Sequence, residues 1–212
     1  VTSAKKGLAA LIGQTATYNQ KRESREVELA QVQRDALDKL SVLEPQKSFS
    51  KVLRDALPDD GILVPDVTQL MFYSWFGYPA YQPRTVVYPG YQDSLGYGFA
   101  TALGVKVAHP DKRVCCITGD GVFMFTMPEL ATAVHHGINL VTVIFNDSRF
   151  GNVRRIQRMQ YGERYLASDL TNPDFVNLAE SFGAVGLRAN SPAELADCLE
   201  TAFKANAPVL ID

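Results

Sequence analysis

Cysteine is scarce in this sequence, with three in 212 residues. Cys115 and Cys116 are neighbours in an apolar run, and Cys198 lies far along the chain. No pair shows the short gap of a zinc knuckle, so a structural zinc site is not expected. The pattern is no disulfide framework either, and it fits a reduced, cytoplasmic protein. Long hydrophobic runs are missing too. None approaches the ~20 apolar residues that cross a bilayer, and the N-terminal segment lacks the apolar core of a signal peptide. Neither charge sign dominates: 21 Lys+Arg against 23 Asp+Glu leaves a formal net charge of -2. Non-specific nucleic-acid binding needs a basic footprint, so neither nucleic acid nor membrane is an expected partner. The Gly-x-x-x-x-Gly-Lys phosphate loop is absent, which argues against a P-loop phosphotransferase. Internal repeats and low-complexity tracts are absent as well.

What is present is an ordinary globular composition, 46% hydrophobic and 21% charged. Residues 2–13 and 20–43 carry apolar residues three or four apart. They predict one amphipathic helix, or two with a break near Gly13, acting as a connector. The apolar repeat is too short and irregular for a coiled coil. From residue 45 onward, strand-like and helix-like segments alternate. Strands are expected at 62–64, 85–88, 114–117, 140–145, 184–187 and 208–211, with helices between them. Neighbouring Cys115 and Cys116 should therefore face opposite sides of a sheet. This order predicts an α/β fold, doubly wound, with a mostly parallel sheet covered by helices on both faces. The domain plan is a helical linker over 1–44 and a ligand-binding domain over 45–212. Val1 and the abrupt terminal strand suggest a piece of a longer protein.

Several helix boundaries are signalled. Ser48 is a candidate N-cap, and Asp93 or Ser94 another for a helix over 95–108. That helix is crowded with Gly96, Gly98, Ala100, Ala102 and Gly104, which implies close approach by a ligand or by a packed neighbour. Both readings stay open. Thr126-x-x-Glu129 reads as a capping box, with Pro128 in the first turn, Phe125 and Leu130 as a staple, and Gly137 at the end. Glu129 is thus a cap rather than a catalytic acid. His135 and His136 fit a helix C-terminus rather than a reaction. Thr171-Asn172-Pro173-Asp174 and Ser191-Pro192 each open a helix. Arg149, Arg154, Arg155 and Arg158 read as a solvated helix face.

The chemistry concentrates at two strand ends. The run 114–117 ends in Gly119-Asp120-Gly121, and the run 140–145 ends in Asn146-Asp147. One crossover helix fits between them, so the two ends can lie side by side. In open α/β sheets that edge is where ligands bind. Two oxygen side chains there, with backbone carbonyls, suit a hard cation such as Mg2+, whose other ligands would come from phosphate and water. Glycine N–H groups can meet phosphate oxygens. Either half alone is commonly only a turn or a cap; the paired spacing is what points to a metal-bridged diphosphate.

Gly119-Asp120-Gly121 followed by Asn146-Asp147 resembles the cofactor motif of thiamine-diphosphate enzymes, above all the acetolactate synthase-like group. Residues 95–104 are similar to that family's glycine-rich segment, and Pro89-Gly90 and Asp66-Val67-Thr68-Gln69 fall where it contacts cofactor. The resemblance spans about residues 45–212. It implies the thiamine-diphosphate-binding fold, with thiamine diphosphate and Mg2+ as cofactors. It implies metal ligation by Asp120, by Asp147 where the family usually has asparagine, and by the Arg149 carbonyl. Gly119, Gly121, Val122, Gly151 and Asn152 would line the diphosphate, and Thr68 and Gln69 would contact phosphate. Leu95 would sit under the thiazolium ring, and the Asp93 carbonyl would accept from the aminopyrimidine. The implied activity is decarboxylation of a small 2-keto acid with carboligation; a simple decarboxylase or oxidase is the alternative. A Mg-phosphate-binding module and a non-catalytic homologue are the readings from outside that class. The activating glutamate is expected on a pyrimidine-binding domain of the same or a partner subunit, in a homodimer or homotetramer. This chain alone is therefore expected to be inactive.

Overall fold

The computed structural model describes residues 3–18 and 23–212. The chain divides into two compact units, Val1–Lys39 and Leu40–Asp212. The first unit holds α1 (Ala4–Tyr18) and nearly all of α2 (Glu26–Leu40). Among the described residues this unit shows two helices, and α1 runs through Gly13 without a break there. The parts of that expectation on residues 2 and 20–22 lie outside the described residues. No residue of α2 is buried.

The second unit continues with α3 (Gln46–Ala56), β1 (Ile62–Pro65), α4 (Gln69–Gly77), α5 (Tyr97–Ala108), β2 (Val114–Gly119) and α6 (Asp120–Phe123). It goes on through α7 (Leu130–His135), β3 (Val141–Phe145), α8 (Gly151–Gln160), α9 (Phe175–Phe182), β4 (Val185–Leu187), α10 (Pro192–Ala202) and β5 (Val209–Ile211). The strands form one sheet in the order β1-β2-β3-β5-β4, and every pairing is parallel. Parallel strands need a crossover, and the intervening helices supply it.

Strand alternation builds two cores. Val114 and Cys116 point to the layer of Phe99, Ala102, Leu130 and Ala179, from α5, α7 and α9. Cys115 and Ile117 point to the layer of Leu53, Leu70, Leu195 and Leu199, from α3, α4 and α10. Every residue of β2 is buried. Each buried leucine or isoleucine of these layers contributes about 1.5–3 kcal/mol by leaving water, which anchors β2 firmly between them. Among the described residues, no helix is long and apolar enough to cross a membrane.

Four boundary expectations need correction. Ser48 is not the N-cap of α3. The helix starts earlier, at Gln46, and the Glu44 carboxylate accepts the Ser48 N–H at 3.1 Å. Neither Asp93 nor Ser94 caps α5 with its side chain; Gly96, at φ 85°, turns the chain into it. Residues 85–88 form no strand, only a single parallel bridge from Val86 to Leu63. The capping box is not made. The Thr126 side chain caps nothing, and its Oγ1 is buried without a partner, while Glu129 accepts from the Thr132 hydroxyl instead. A 3-10 turn over Met127–Glu129 precedes α7 and leaves Glu129 itself at the N-cap of α7, with no side-chain cap bond. The later signals hold: Asp174 caps α9 through two N–H groups, and Ser191 caps α10; α9 itself ends at left-handed Gly183, φ 87°.

Candidate functional site

Register decides what meets at the carboxyl edge of the sheet. Gly119 at the end of β2 pairs with Phe145 at the end of β3. Asp120 and Asn146 are therefore the next residues out on adjacent strands. Asp120 opens α6 and is only 2% exposed. Its Oδ2 accepts from Asn172 Nδ2 at 2.7 Å, and the same amide nitrogen donates to Asn146 Oδ1 at 3.0 Å. Asn146 Nδ2 donates in turn to Asp212 Oδ1 at 3.0 Å.

Asp147 follows on an open turn. The residue is exposed, yet partial shielding of its carboxyl raises its pKa above the usual aspartate value, and the Asp120 charge adds to that rise. A second carboxylate this near Asp147 suits a shared cation, which removes the repulsion between like charges. The turn itself is strained at Ser148, φ 56°. Main-chain hydrogen bonds pin it to a later segment: Phe150 N–H to Ser168 O and Leu170 N–H to Ser148 O, each 2.8 Å. Arg149 donates its side chain back to the Asp147 carbonyl at 3.0 Å.

The glycines explain how close these pieces come. A Cβ on Gly121 would sit 2.6 Å from Phe150 Cε1 and 2.7 Å from Leu170 Cδ1. Gly151 opens α8, and a Cβ there would lie 3.4 Å from Gln69 Nε2 and 3.5 Å from Asp147 Oδ2. A Cβ on Gly119 would lie 3.4 Å from Thr68 Cγ2. Thr68 is the N-cap of α4, its Oγ1 accepting from Met71 N–H at 3.0 Å. Gln69 Oε1 accepts from Gln46 Nε2 at 2.9 Å. The ends of β1, β2 and β3 and the start of α8 thus converge, bringing together Thr68, Gln69, Gly119, Asp120, Gly121, Asp147 and Gly151. Val122 and Asn152 belong to the first turns of α6 and α8. No side chain caps α8, which leaves its leading N–H groups, with the positive end of the helix dipole, for an anion. Among the described residues no group of three or more His, Cys, Asp or Glu could hold a metal. The donor set available is two carboxylates and a backbone carbonyl, which fits a hard cation that takes its remaining ligands from a bound phosphate.

Asp93 and Leu95 lie on a different segment. Asp93 is left-handed, φ 45°, after a 3-10 turn, and Leu95 is 43% exposed. The start of α5 just beyond them is held by Asp66, which sequence reasoning had placed only in the vicinity of a ligand. Asp66 is fully buried; its carboxylate accepts from Val67 N–H at 2.8 Å and Gly98 N–H at 2.7 Å. Burial raises its pKa, and these N–H groups oppose the rise. A Cβ on Gly98 would sit 2.6 Å from Asp66 Cβ. At Gly98 the small residue therefore serves packing of α5 on β1 rather than a ligand. Arg154 pairs with Asp169 at 2.8 Å, and Arg155 donates to Asn152 Oδ1. His135 and His136 are exposed and away from the converging ends. Asn172 is the functional-looking residue that sequence reasoning missed. Beside it, Gly121, Phe150 and Leu170 line an open cleft of ≈ 260 Å³.

Residues 66–212 match the family model described as thiamine pyrophosphate enzyme, C-terminal TPP binding domain. The acetolactate synthase large subunit of Haemophilus influenzae is 36% identical over 163 residues, covering 76% of this chain and 28% of that protein. The acetolactate synthase of Bacillus subtilis is 36% identical over 162 residues, with the same two shares. The chain thus spans under a third of the length of these relatives. Among solved structures, the Rhodococcus jostii RHA1 thiamine diphosphate-dependent 4-hydroxybenzoylformate decarboxylase superposes with a TM-score of 0.73 at 26% identity, covering 78% of this chain and 31% of that one.

Proposed function

Because the chain belongs to the thiamine pyrophosphate enzyme family, through its C-terminal TPP binding domain, we propose that its strand ends hold thiamine diphosphate through Mg2+. In this reading the Asp120 and Asp147 carboxylates and the Arg149 carbonyl ligate the metal. Gly119 lets the diphosphate approach, Gly121, Val122, Gly151 and Asn152 present N–H groups to it, and Thr68 and Gln69 add polar contacts. Leu95 supports the thiazolium ring, and the Asp93 carbonyl receives the aminopyrimidine. Residues 45–212 form the cofactor domain, and 1–44 the linker to it. The observation that carries the reading is the Gly119–Phe145 register, which sets Asp120 beside the Asn146-Asp147 turn.

When bound, the cofactor supplies a carbon nucleophile and an electron sink for cleaving a 2-keto acid. The chain's own residues do the binding and orienting. Buried Asp120 gives a dry, fixed anchor, the α8 N-terminus offsets phosphate charge, and Asp66 fixes the approach to Leu95. The proton chemistry calls for a glutamate from a pyrimidine-binding domain of the same or a partner subunit, in a homodimer or homotetramer in the cytoplasm. With it, the activity would be decarboxylation of a small 2-keto acid and transfer to a second carbonyl, as the acetolactate synthase names of the relatives suggest. The decarboxylase superposition favours a second reading, in which a proton takes the place of the second carbonyl. Calorimetric titration with thiamine diphosphate tests the site. Binding should weaken sharply without Mg2+, and its metal-dependent part should vanish in Asp120→Ala; equal heats with and without the metal would refute it. Product analysis of the full-length enzyme, an acetohydroxy acid against an aldehyde, separates the two activities.

A further inference from the structure

We infer that Asn172 is the positioning residue of this clamp, orienting the Asp120 carboxylate for the metal and tying it to the end of β3; the inference rests on the function proposed above. A primary amide has two N–H donors. Asn172 spends its amide nitrogen on Asp120 Oδ2 at 2.7 Å and Asn146 Oδ1 at 3.0 Å, one acceptor on each strand end. The amide cannot be turned over, because its oxygen would then face two acceptors. Asn146 is fixed the same way, since its own amide nitrogen is engaged by Asp212. Asp120 is almost fully buried, and burying a carboxylate is costly without a hydrogen-bond donor such as Asn172. The bond is made to one oxygen only and leaves Oδ1 for a cation.

The backbone on either side of Asn172 is held. Leu170 N–H bonds Ser148 O, and Asp174 caps α9. Arg188 joins Asp174 at 2.9 Å to Asp212 at 3.4 Å, closing a ring of polar contacts around the β3 end. The side chain is therefore presented to Asp120 by a segment 52 residues away that is anchored on both sides. Partners that hydrogen-bond a ligating carboxylate commonly set metal affinity, and their loss costs roughly 10- to 100-fold.

The test is titration of the chain and its Asn172→Ala and Asn172→Asp variants with thiamine diphosphate, each with Mg2+ and with chelator, alongside thermal melts. The metal-dependent affinity of Asn172→Ala should fall roughly 10- to 100-fold, while the weak binding in chelator stays level with the parent chain. A purely structural role would lower both. Asn172→Asp, equal in size, turns a donor toward Asp120 into a carboxylate and should lose at least as much. If Asn172→Ala does not fold, Asn172→Asp decides the question. Unchanged metal-dependent affinity in a folded variant overturns the role of Asn172 alone. A parent chain that binds equally well in chelator overturns the metal site itself, and this role with it.

Discussion

The two strand ends that form the site are built in opposite ways. The β2 end is made by packing. Asp120 is buried, all of β2 is buried, and Gly121 is wedged between Phe150 and Leu170. The β3 end is made by polar ties. Asn146, Asp147, Ser148 and Arg149 are exposed, and main-chain bonds to Ser168 and Leu170 hold the turn, with Asn172 and Asp212 on Asn146. Substitution on the β2 side should therefore disturb fold and ligand together. Substitution on the β3 side should disturb the ligand with little cost to the fold.

The sharpest break would come at Asp120. Asp120→Ala should abolish metal-dependent thiamine diphosphate binding in calorimetry and lower stability by about 0.5–1.5 kcal/mol, since it removes one part-buried hydrogen bond from Asn172. Gly121→Ala comes next. Its methyl must displace Phe150 and Leu170, which should cost about 1–3 kcal/mol, read as a lower urea midpoint with unchanged slope. Were it as stable as the parent chain, the β2 end would not be the packed side. Asp147→Asn keeps an oxygen and removes a charge, so metal affinity should fall on the order of 10-fold. Its effect on the metal-free fold has the opposite sign. The Asp147 pKa is raised in the folded chain, so the parent loses stability as pH rises from the unfolded aspartate value, about 3.9, through the raised one. The variant lacks that loss, and its urea midpoint should be the higher of the two near neutral pH.

How much of this was legible before folding follows the same division. Alternation in 114–117 gave the two-faced strand, and Asp174 and Ser191 announced their helices because a cap is a local signal. Gly119-Asp120-Gly121 and Asn146-Asp147 could be paired because one crossover separates them, and adjacent parallel strands are the usual result. The capping box failed because the same local pattern is met by another local structure, a 3-10 turn that hands Glu129 to Thr132. Residues 85–88 had the composition of a strand but pair with β1 at one bridge only. Asn172 and the anchoring role of Asp66 left no sequence signal. Each acts on a partner far along the chain, Asp120 and Gly98 respectively, and only the sheet brings them together.

The smallest expected effect is an absence of reaction, and it tests rigidity directly. Cys115 and Cys116 lie in the middle of β2, both fully buried and on opposite faces. Burial pushes the Cys115 thiol up to about 12 and the Cys116 thiol higher than usual as well. Cys198 is half-buried and its thiol is raised by partial burial. Only thiolate alkylates, so near neutral pH a thiol reagent should modify Cys198 and leave the β2 pair intact in the native chain. Labelling of the pair then requires β2 to open. If the β2 end is rigid because it is packed, that opening is global, and its rate should rise with urea as steeply as unfolding itself. A shallow urea dependence, with Cys115 labelling through local opening, would mean that the Asp120 side yields as easily as the Asp147 side. The contrast between the two ends would then lie in their surroundings rather than in their stiffness.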